Sequence, residues 1–371
     1  MKRVSLVLGM VLAVSMAMAQ NKTLVDQNGN NDDAIVKQIG VGNDAKLNQF
    51  GNENDALVKQ TGNSNIAVSD QLLGDRNKAT VVQAVGSNNA NLVQGMIANY
   101  MGSSTINMPA SDNVGSITQV GGVRNLGELM QLGNNNNGSI STTGNDNTAY
   151  LYQGWQGAGD GPAVVGYNNI ASVEQISDGN YGAIWQYGHD NKSSLLQDGK
   201  SNSAQIAQGY IYPGLGVVAV WNVQGNTSDV KQDGSVNNVR AFQLGDVNTI
   251  KLTQNGNYNT FGGMPGTGMG TYFQQTGSNN KVAGVYRSND DLYFDINASA
   301  EQNNGATLGA TSHQTGDYNE IGLNQGAGDI ATILQDGFNN EAVLLQGGSG
   351  QNATITQNGA NSTANVLQLN Q

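Results

Sequence analysis

Carboxamide side chains are the polar groups with regular spacing in this sequence. Glutamine returns about every eleven residues in the order Q-x-G-x-x-N-x-A-x-x-x-Q, as in the unit from Gln38 to Gln49. A carboxamide carries two N–H donors and one accepting oxygen, so identical amides stacked on one another can pair while buried. A lone buried amide would lose roughly 1–3 kcal/mol. The chemistry that this spacing predicts is therefore mutual hydrogen bonding between repeats.

The residues around each glutamine predict a half-buried β-strand. In the segment 43–49, NDAKLNQ, the apolar and amide residues share one parity, and the charged or polar residues share the other. Successive side chains of a strand point to opposite faces, whereas a helical period would scatter these positions. The x-G-x-x-N segments between strands predict tight turns, in which Gly and Asn supply positive φ angles. One unit is a strand plus a turn.

Two such units, about 22 residues, make one flattened coil, so the sequence predicts an all-β fold. We expect a β-solenoid of strand–turn–strand coils with two parallel sheets and an amyloid-like spacing of about 4.8 Å between strands. Gln38 then lies over Gln60, and the array holds about 15–16 coils. The predicted inward ladder residues are Gln38, Asn43, Ala45, Gln49, Asn54, Ala56, Gln60, Asn65, Ala67, Gln71, Gln186, Asn191, Gln197, Asn202, Gln208, Gln335, Asn340, Gln346, Gln357 and Gln368. The predicted turn glycines are Gly40, Gly51, Gly62, Gly188, Gly199 and Gly337.

Longer loops interrupt the array near 95–112, 154–166, 209–216, 260–270 and 286–313, and the last stretch fits the period worst. All four prolines are expected in irregular stretches, because proline cannot donate to a sheet ladder. Their similar spacing predicts that the loops recur on one side of the stack. Aromatic residues there fit either a lateral or glycan-binding surface, or tolerated insertions that cover strand ends. The residues are Pro109, Pro162, Pro213, Pro265, Tyr100, Trp155, Tyr210, Tyr212 and Trp221.

Residues 1–19 have the pattern of a secretory signal peptide, which leaves 20–371 as the solenoid. Lys2 and Arg3 precede an apolar run, and Ala17-Met18-Ala19 is a small-residue cleavage site. A membrane anchor is the alternative, but the run is short for a bilayer, and no later segment is apolar enough to cross one. We therefore expect a secreted chain without an integral membrane segment.

Bulk composition excludes several classes of function. The 371 residues include 51 glycines and no cysteine, which rules out disulfides, thiolate metal sites and cysteine nucleophiles. Aromatic residues make up 6% of the chain, too few for an ordinary large core. The net charge of −12 argues against nucleic acid as a partner, because phosphate binding needs a basic surface.

The repeat pattern reaches both ends of the array without a recognisable cap. Open strand edges favour head-to-tail addition, and such a contact does not close into a ring, so it produces a filament. Stacked outward charges, Asp33 with Asp55 and Lys37 with Lys59, either slow this addition or are simply solvated. The predicted polymer ends are Asn21, Val25 and Gln27 on one side and Ala364, Val366 and Gln368 on the other.

The unit formed by Gln38, Gly40, Asn43, Ala45 and Gln49 resembles the curlin repeat, and the similarity covers about residues 20–371. The resemblance implies a structural subunit of curli fibres, an extracellular functional amyloid of the biofilm matrix that serves adhesion. It also implies copies of the chain itself, a minor curlin nucleator, an outer-membrane curli secretion channel and a periplasmic chaperone as partners. Export would pass through the periplasm, and neither enzymatic activity nor a cofactor is implied.

This chain has many more repeats than familiar curlins, and its repeats begin at Asn21, where those carry a separate export segment. The complete last repeat favours a major subunit. A minor curlin or nucleator, a monomeric solenoid adhesin and a glycan-binding surface protein remain alternatives. Ice binding would predict an outward threonine row, which Thr61, Thr80 and Thr118 do not form at the repeat period.

Catalytic and metal chemistry finds little support in the residue pattern. His189 and His313 are the only histidines, and the turn position of His189 predicts a solvated side chain. The pairs Asp32–Asp33 and Asp290–Asp291 lack the glycine-rich nonapeptide of calcium-binding β-rolls. The glycine-rich turns lack the lysine and helix of a phosphate loop. A parallel β-helix hydrolase would require acids clustered at a break in the ladders, which the sequence does not show.

Overall fold

A computed structural model describes residues 20–100, 104–108, 110–154, 166–208, 223–243, 249–265, 270–276, 281–284, 287–288, 291–292, 300–302, 309–325, 330–347 and 351–369. Every regular element in these ranges is a β-strand. The predicted signal peptide and Pro109, Pro162 and Pro213 lie outside them. So do Trp155, Tyr210, Tyr212 and Trp221.

Two large parallel sheets contain alternate strands of the chain. The first sheet consists of β1 (Lys22–Asn30), β3 (Asp44–Asn52), β5 (Ile66–Leu72), β7 (Asn89–Gln94), β11 (Leu126–Gln131), β14 (Thr148–Gln153), β17 (Tyr181–Gln186), β20 (Ser203–Gln208), β23 (Asn238–Gln243), β25 (Thr260–Pro265), β27 (Lys281–Gly284), β30 (Ala300–Gln302), β32 (Glu320–Gln325), β34 (Glu341–Gly347) and β36 (Thr363–Leu369). The second sheet consists of β2 (Asp33–Ile39), β4 (Asp55–Thr61), β6 (Lys78–Gln83), β10 (Val114–Val120), β13 (Asn137–Thr143), β16 (Ile170–Ile176), β19 (Lys192–Asp198), β22 (Thr227–Asp233), β24 (Thr249–Asn255), β26 (Gly270–Thr276), β31 (Gly309–Asp317), β33 (Ile330–Phe338) and β35 (Asn352–Ala360).

Three smaller sheets complete the strands. A third parallel sheet is built from two-residue strands. Two antiparallel pairs occur, along the chain, in the connections between strands of the large sheets. The third sheet consists of β12 (Gly133–Asn134), β15 (Gly166–Tyr167), β18 (Gly188–His189) and β21 (Val223–Gln224); the antiparallel pairs are β8 (Met96–Tyr100) with β9 (Ser104–Met108), and β28 (Arg287–Ser288) with β29 (Asp291–Leu292).

The register of the large sheets follows the repeat, so the predicted all-β parallel solenoid is confirmed. Gln38 pairs with Gln60 in the second sheet, and Gln49 pairs with Gln71 in the first, each 22 residues apart. The described residues form 13 strands in the second sheet and 15 in the first, against the predicted 15–16 coils.

The core is a thin apolar layer between the two large sheets. It takes the second and fourth residues of each strand, such as Ala45 and Leu47 on β3 and Ala56 and Val58 on β4, all at most 1% exposed. Strand alternation points these side chains inward, while their neighbours face solvent. Small and branched residues alternate along most inward rows, and Phe261 on β25 is the aromatic member of this core cluster among the described residues.

Long connections occur on one edge of the stack. They follow strands β7, β14, β20 and β27 of the first sheet and precede the next large-sheet strand of the second. Turns from the second sheet back to the first never exceed five residues. The expectation of a loop near 260–270 is wrong for its first half, since Thr260–Pro265 is strand β25. Pro265 is the last residue of that strand, where glutamine is usual, so proline ends a strand there instead of lying in a loop.

Turn glycines stack directly on the next coil. Gly337 has φ +125°, and a Cβ added there would lie 1.8 Å from the carbonyl oxygen of Gly359. Gly359 has a similar φ of +112°, but a Cβ added there would meet nothing within 4 Å. These two glycines separate the cost of the backbone conformation from the cost of the close approach between coils.

We therefore expect Gly337→Ala to lower the free energy of unfolding by at least about 1 kcal/mol more than Gly359→Ala. Both alanines carry the strain of a positive φ, and only the first also collides with a backbone carbonyl. Urea unfolding of both variants, followed by circular dichroism at low protein concentration, measures the difference. Equal losses would show that the stack relaxes around the added methyl group.

Candidate assembly site: the amide ladders

Between β1 and β24, glutamine side chains form a hydrogen-bonded column along each large sheet. The column of the first sheet is continuous, and that of the second sheet is broken once, at Thr142. In the first sheet, Gln49 Nε2 donates to Gln71 Oε1 at 2.9 Å, and Gln71 Nε2 donates to Gln94 Oε1 at 3.0 Å. In the second sheet, Gln38 Nε2 donates to Gln60 Oε1 at 2.8 Å. Every such bond runs from an earlier coil to a later one, so each column has a direction.

The same glutamines also join the two sheets. The second proton of Gln49 Nε2 donates to the carbonyl of Asp33 at 2.9 Å, and Gln60 Nε2 donates to that of Asp44 at 3.0 Å. In each case the acceptor is the first residue of a strand in the opposite sheet. One carboxamide therefore forms hydrogen bonds to both the neighbouring coil and the facing sheet. The ladder stabilises the stacking of coils and the packing of the two sheets together.

Asparagine side chains form a second column, at the turns, with the opposite direction. Asn65 Nδ2 and its backbone N–H both donate to Asn43 Oδ1 at 3.1 Å, from a later coil to an earlier one. Asn43 Nδ2 donates forward to the carbonyl of Gly62 at 2.8 Å. Each asparagine thus contacts the coils on both sides. Two columns of opposite polarity mean that a coil stacks on its neighbour in a single orientation.

The turn conformations correct one sequence expectation. The six predicted turn glycines all have positive φ angles, between 90° and 143°. The repeat asparagine itself does not; the residue before it does, as at Glu53 (φ 58°) and Tyr258 (φ 58°). Asparagine recurs because its amide completes the turn column, while the preceding residue adopts the left-handed conformation whatever its type.

Thr142 interrupts the glutamine column of the second sheet. It pairs with Gln119 on one side and Gln175 on the other, at the position where glutamine is due. Thr142 Oγ1 and Gln175 Oε1 are both buried without a hydrogen-bond partner among the described residues. A threonine side chain is too short to reach the amides of adjacent coils. The ladder of the second sheet therefore has an internal fault between β10 and β16.

The predicted ladder residues fall into two groups in the structure. Gln38 and Gln368, on coils near the two ends of the described stack, are half-buried. The other eighteen residues predicted for the ladder are buried, at most 6% exposed. Of the residues predicted for polymer ends, Gln27 is exposed, Val25 is 41% exposed, and Asn21, Ala364 and Val366 are half-buried.

Outward charges also lie over one another. Asp33 pairs in register with Asp55, and Lys37 with Lys59. Two turn arginines bind carboxylates of the next coil, and Arg76 contacts Asp112 through two hydrogen bonds of 2.7 and 2.8 Å. The hydrogen bond from Arg76 holds the pKa of the Asp112 carboxyl below its usual value. Because these groups are exposed, such pairs add little to stability and mainly align the turns.

Two outward features were not predicted from the sequence, because they depend on which residues of neighbouring strands pair with one another. On the first sheet, Tyr150 lies 6.1 Å from Tyr152 and 6.0 Å from Tyr181, measured between ring centroids. Burial raises the pKa of the Tyr152 phenol, which also bonds to Glu128. On the second sheet, serine and threonine residues of successive strands share one column. Insertions of different lengths separate these residues along the chain, so no fixed period reveals them.

The described residues include neither a candidate metal centre nor a membrane-spanning helix. They contain no group of three or more His, Cys, Asp or Glu side chains placed to hold a metal ion. His189 is half-buried on β18, and its Nδ1 lies 3.0 Å from Asp190 Oδ2. No helix in these ranges could cross a lipid bilayer. What the arrangement does provide is a surface of amides and strand edges that is satisfied by an identical coil.

These features define a class: a parallel β-solenoid whose coils bind one another through amide ladders. Four segments of the chain match the curlin associated repeat, at residues 20–51, 51–84, 122–154 and 330–359. These matches show that the chain contains curlin associated repeats, and they support a structural protein of the curlin-repeat type. A comparison with curated proteins found no match.

Proposed function

We propose that this chain is the building block of an extracellular curli-type fibre, formed by head-to-tail stacking of solenoids. The fibre would be a functional amyloid of a biofilm matrix that serves adhesion. Its partners would be further copies of the chain, a minor curlin nucleator, an outer-membrane secretion channel and a periplasmic chaperone. The curlin repeats support a structural subunit of this type. A major-subunit role fits the unbroken ladders of the coils at either end.

The proposal rests on the contacts between neighbouring coils. Each coil buries the inward side chains of the next and pairs with its strand edges. Inward Leu47, with strands on both sides, is 0% exposed, whereas inward Val25 on β1 is 41% exposed. Strand β1 pairs with β3, and β36 pairs with β34, and each has that one strand partner among the described residues. A copy stacked on either face would bury apolar side chains and pair free strand edges.

The polarity of the ladders supports head-to-tail stacking over other arrangements. Gln27 Nε2 donates forward to Gln49 at 2.7 Å, and Gln346 Nε2 donates forward to Gln368 at 2.7 Å. Stacking β36 of one copy on β1 of the next lets Gln368 donate to Gln27 in the same direction. Head-to-head stacking would set donors against donors. Such a contact does not close, so it extends into a filament.

We expect the purified chain, without its first nineteen residues, to convert from a soluble form into cross-β fibres. Thioflavin T fluorescence should rise after a lag, and preformed fibres should remove the lag, because a fibre end is a ready template. Fibre diffraction should show a reflection near about 4.8 Å along the fibre axis. Light scattering that stays monomeric for days at tens of micromolar would contradict fibre formation and favour a monomeric adhesin.

Two neighbouring residues of β1 provide a matched test of the growing face. Val25 points inward at the exposed end of the core, while Leu24 points outward and is 55% exposed. Val25→Lys should slow seeded elongation strongly, because the added copy would bury the ammonium group. Leu24→Lys should elongate like the unmodified chain. Equal elongation of the two variants would mean that growth does not use this face.

A further inference from the structure

The outward surface of the second sheet carries a central column of small hydroxyl residues in the middle of the stack. Register places hydroxyl residues of five successive strands in one column; we call the outward surface of β6, β10, β13, β16 and β19 the hydroxyl face. The column consists of Thr80, Ser116, Ser139, Ser172 and Ser194. Strands β10 and β13 carry no charged residue.

The hydroxyl face is exposed at its margin, and its central hydroxyl residues are half-buried or exposed. Val114 and Ile170, which begin two of its strands, are 43% and 48% exposed. On the first sheet, Ile66 at the start of β5 is similarly exposed, at 47%, whereas the outward-pointing Ala183 and Ala207 are 0% and 1% exposed. The face therefore presents apolar side chains at its margin and hydroxyl groups at its centre to whatever lies beside the stack.

We propose that the hydroxyl face binds the same face of a second copy, side by side, with the two stacks running in the same direction. Flat sheets with small side chains can approach closely and exclude water between them. A hydroxyl group both donates and accepts, so facing serines can satisfy one another. This lateral contact adds to end-to-end growth and does not depend on it.

Charge complementarity selects the direction of the two stacks. Two stacks that face each other and run the same way are related by a twofold axis parallel to the stack, so their facing strands are antiparallel. The first outward residue of a strand then faces the last outward residue of the same strand in the other copy. On β19, Lys192 of one copy then faces Asp198 of the other; on β22, Asp229 faces Lys231. When the stacks run in opposite directions about β13, equivalent positions face each other. Lysines 78 and 192 then meet, as do lysines 59 and 231, and such like-charge contacts are unfavourable.

The available area is sufficient for a stable contact. Strands β4 to β24 of the second sheet number eight, so they span about 40 Å along the stack and about 20 Å along the strands. Close packing over this region would cover about 800 Å² on each copy, which is the usual size of a specific interface. Sheets packed in this way align within about 30°.

The decisive experiment places two charges on β13 in two patterns. Ser139 of one copy faces Ser141 of the other in the proposed arrangement. The double variant Ser139→Lys, Ser141→Lys should weaken dimerisation by at least about a hundredfold and give filaments one stack wide. The variant Ser139→Lys, Ser141→Asp should keep paired filaments, because each lysine then faces an aspartate. A third variant, Asn91→Lys with Val93→Lys, adds the same charges to the outward surface of the first sheet and should keep wild-type width.

Filament width by electron microscopy and dimerisation by sedimentation of the full chain are the two readouts. Paired filaments that persist in the double-lysine variant would overturn the proposal. Pairing lost equally with the lysine–aspartate variant would overturn the proposed direction of the stacks. Single-stack fibres from the unmodified chain would refute the lateral contact alone. Dimers without fibres, split by the double-lysine variant, would refute end-to-end growth alone.

Discussion

Replacing Gln94 by lysine is expected to lower the free energy of unfolding by about 3–5 kcal/mol. Gln94 is 0% exposed. Its Oε1 accepts from Gln71 at 3.0 Å, and its Nε2 donates to Gln131 Oε1 at 2.9 Å and to the carbonyl of Lys78 at 2.9 Å. Lysine has no acceptor for Gln71, and it brings a charge into a layer that is otherwise neutral. Urea unfolding at a protein concentration too low for assembly measures the loss.

The matched control lies three residues earlier on the same strand. Asn91 points outward from β7 and is half-buried, so Asn91→Lys adds the same charge at the surface. We expect this variant to change stability by no more than about 0.5 kcal/mol. A similar loss in both variants would mean that charge on the strand, and not the broken amide column, destabilises the stack.

Replacing Thr142 by glutamine is expected to stabilise the chain by about 1–3 kcal/mol, although the new side chain is larger and fully buried. The fault leaves Thr142 Oγ1 and Gln175 Oε1 without partners among the described residues. A glutamine at this position would donate to Gln175 and accept from Gln119, as its equivalents do in neighbouring coils. Gln60 occupies the same inward position three strands away, where it pairs with Gln83 of β6.

A second substitution at the same site separates the two contributions. Thr142→Val removes the unpaired hydroxyl and adds no amide, so its gain should stay below about 1 kcal/mol. The difference between the glutamine and valine variants then measures repair of the column. A glutamine variant no more stable than the valine variant would show that overpacking cancels the restored hydrogen bonds.

Much of the fold was predictable because its unit is local and repeated. The parity of residues such as Ala45 and Leu47 indicates the buried side of a strand, and the fixed interval to Gln71 indicates what lies above Gln49. The inward ladder, the positive φ of the turn glycines and the parallel register all follow from these two facts. A period this regular leaves few other ways to bury the amides.

The remaining features depend on register across insertions of variable length. Thr142 is visibly out of pattern in the sequence, but its effect on Gln175 requires knowing that the two are neighbours across a long connection. The same holds for Ser116 and Ser139, whose column has no constant interval. The short third sheet also escaped prediction, since two-residue strands such as Gly188–His189 carry no pattern of their own.

The two edges of the stack differ in how much extra chain they tolerate. Connections from the second sheet to the first are short throughout, whereas those from the first to the second hold the long segments that follow β7, β14 and β20. A guest peptide grafted into one of those segments would leave both amide columns untouched. In a growing polymer it would be displayed once per molecule, always on the same flank. The solenoid thus accepts an inserted peptide at a fixed position, without a change in the contacts that hold the stack together.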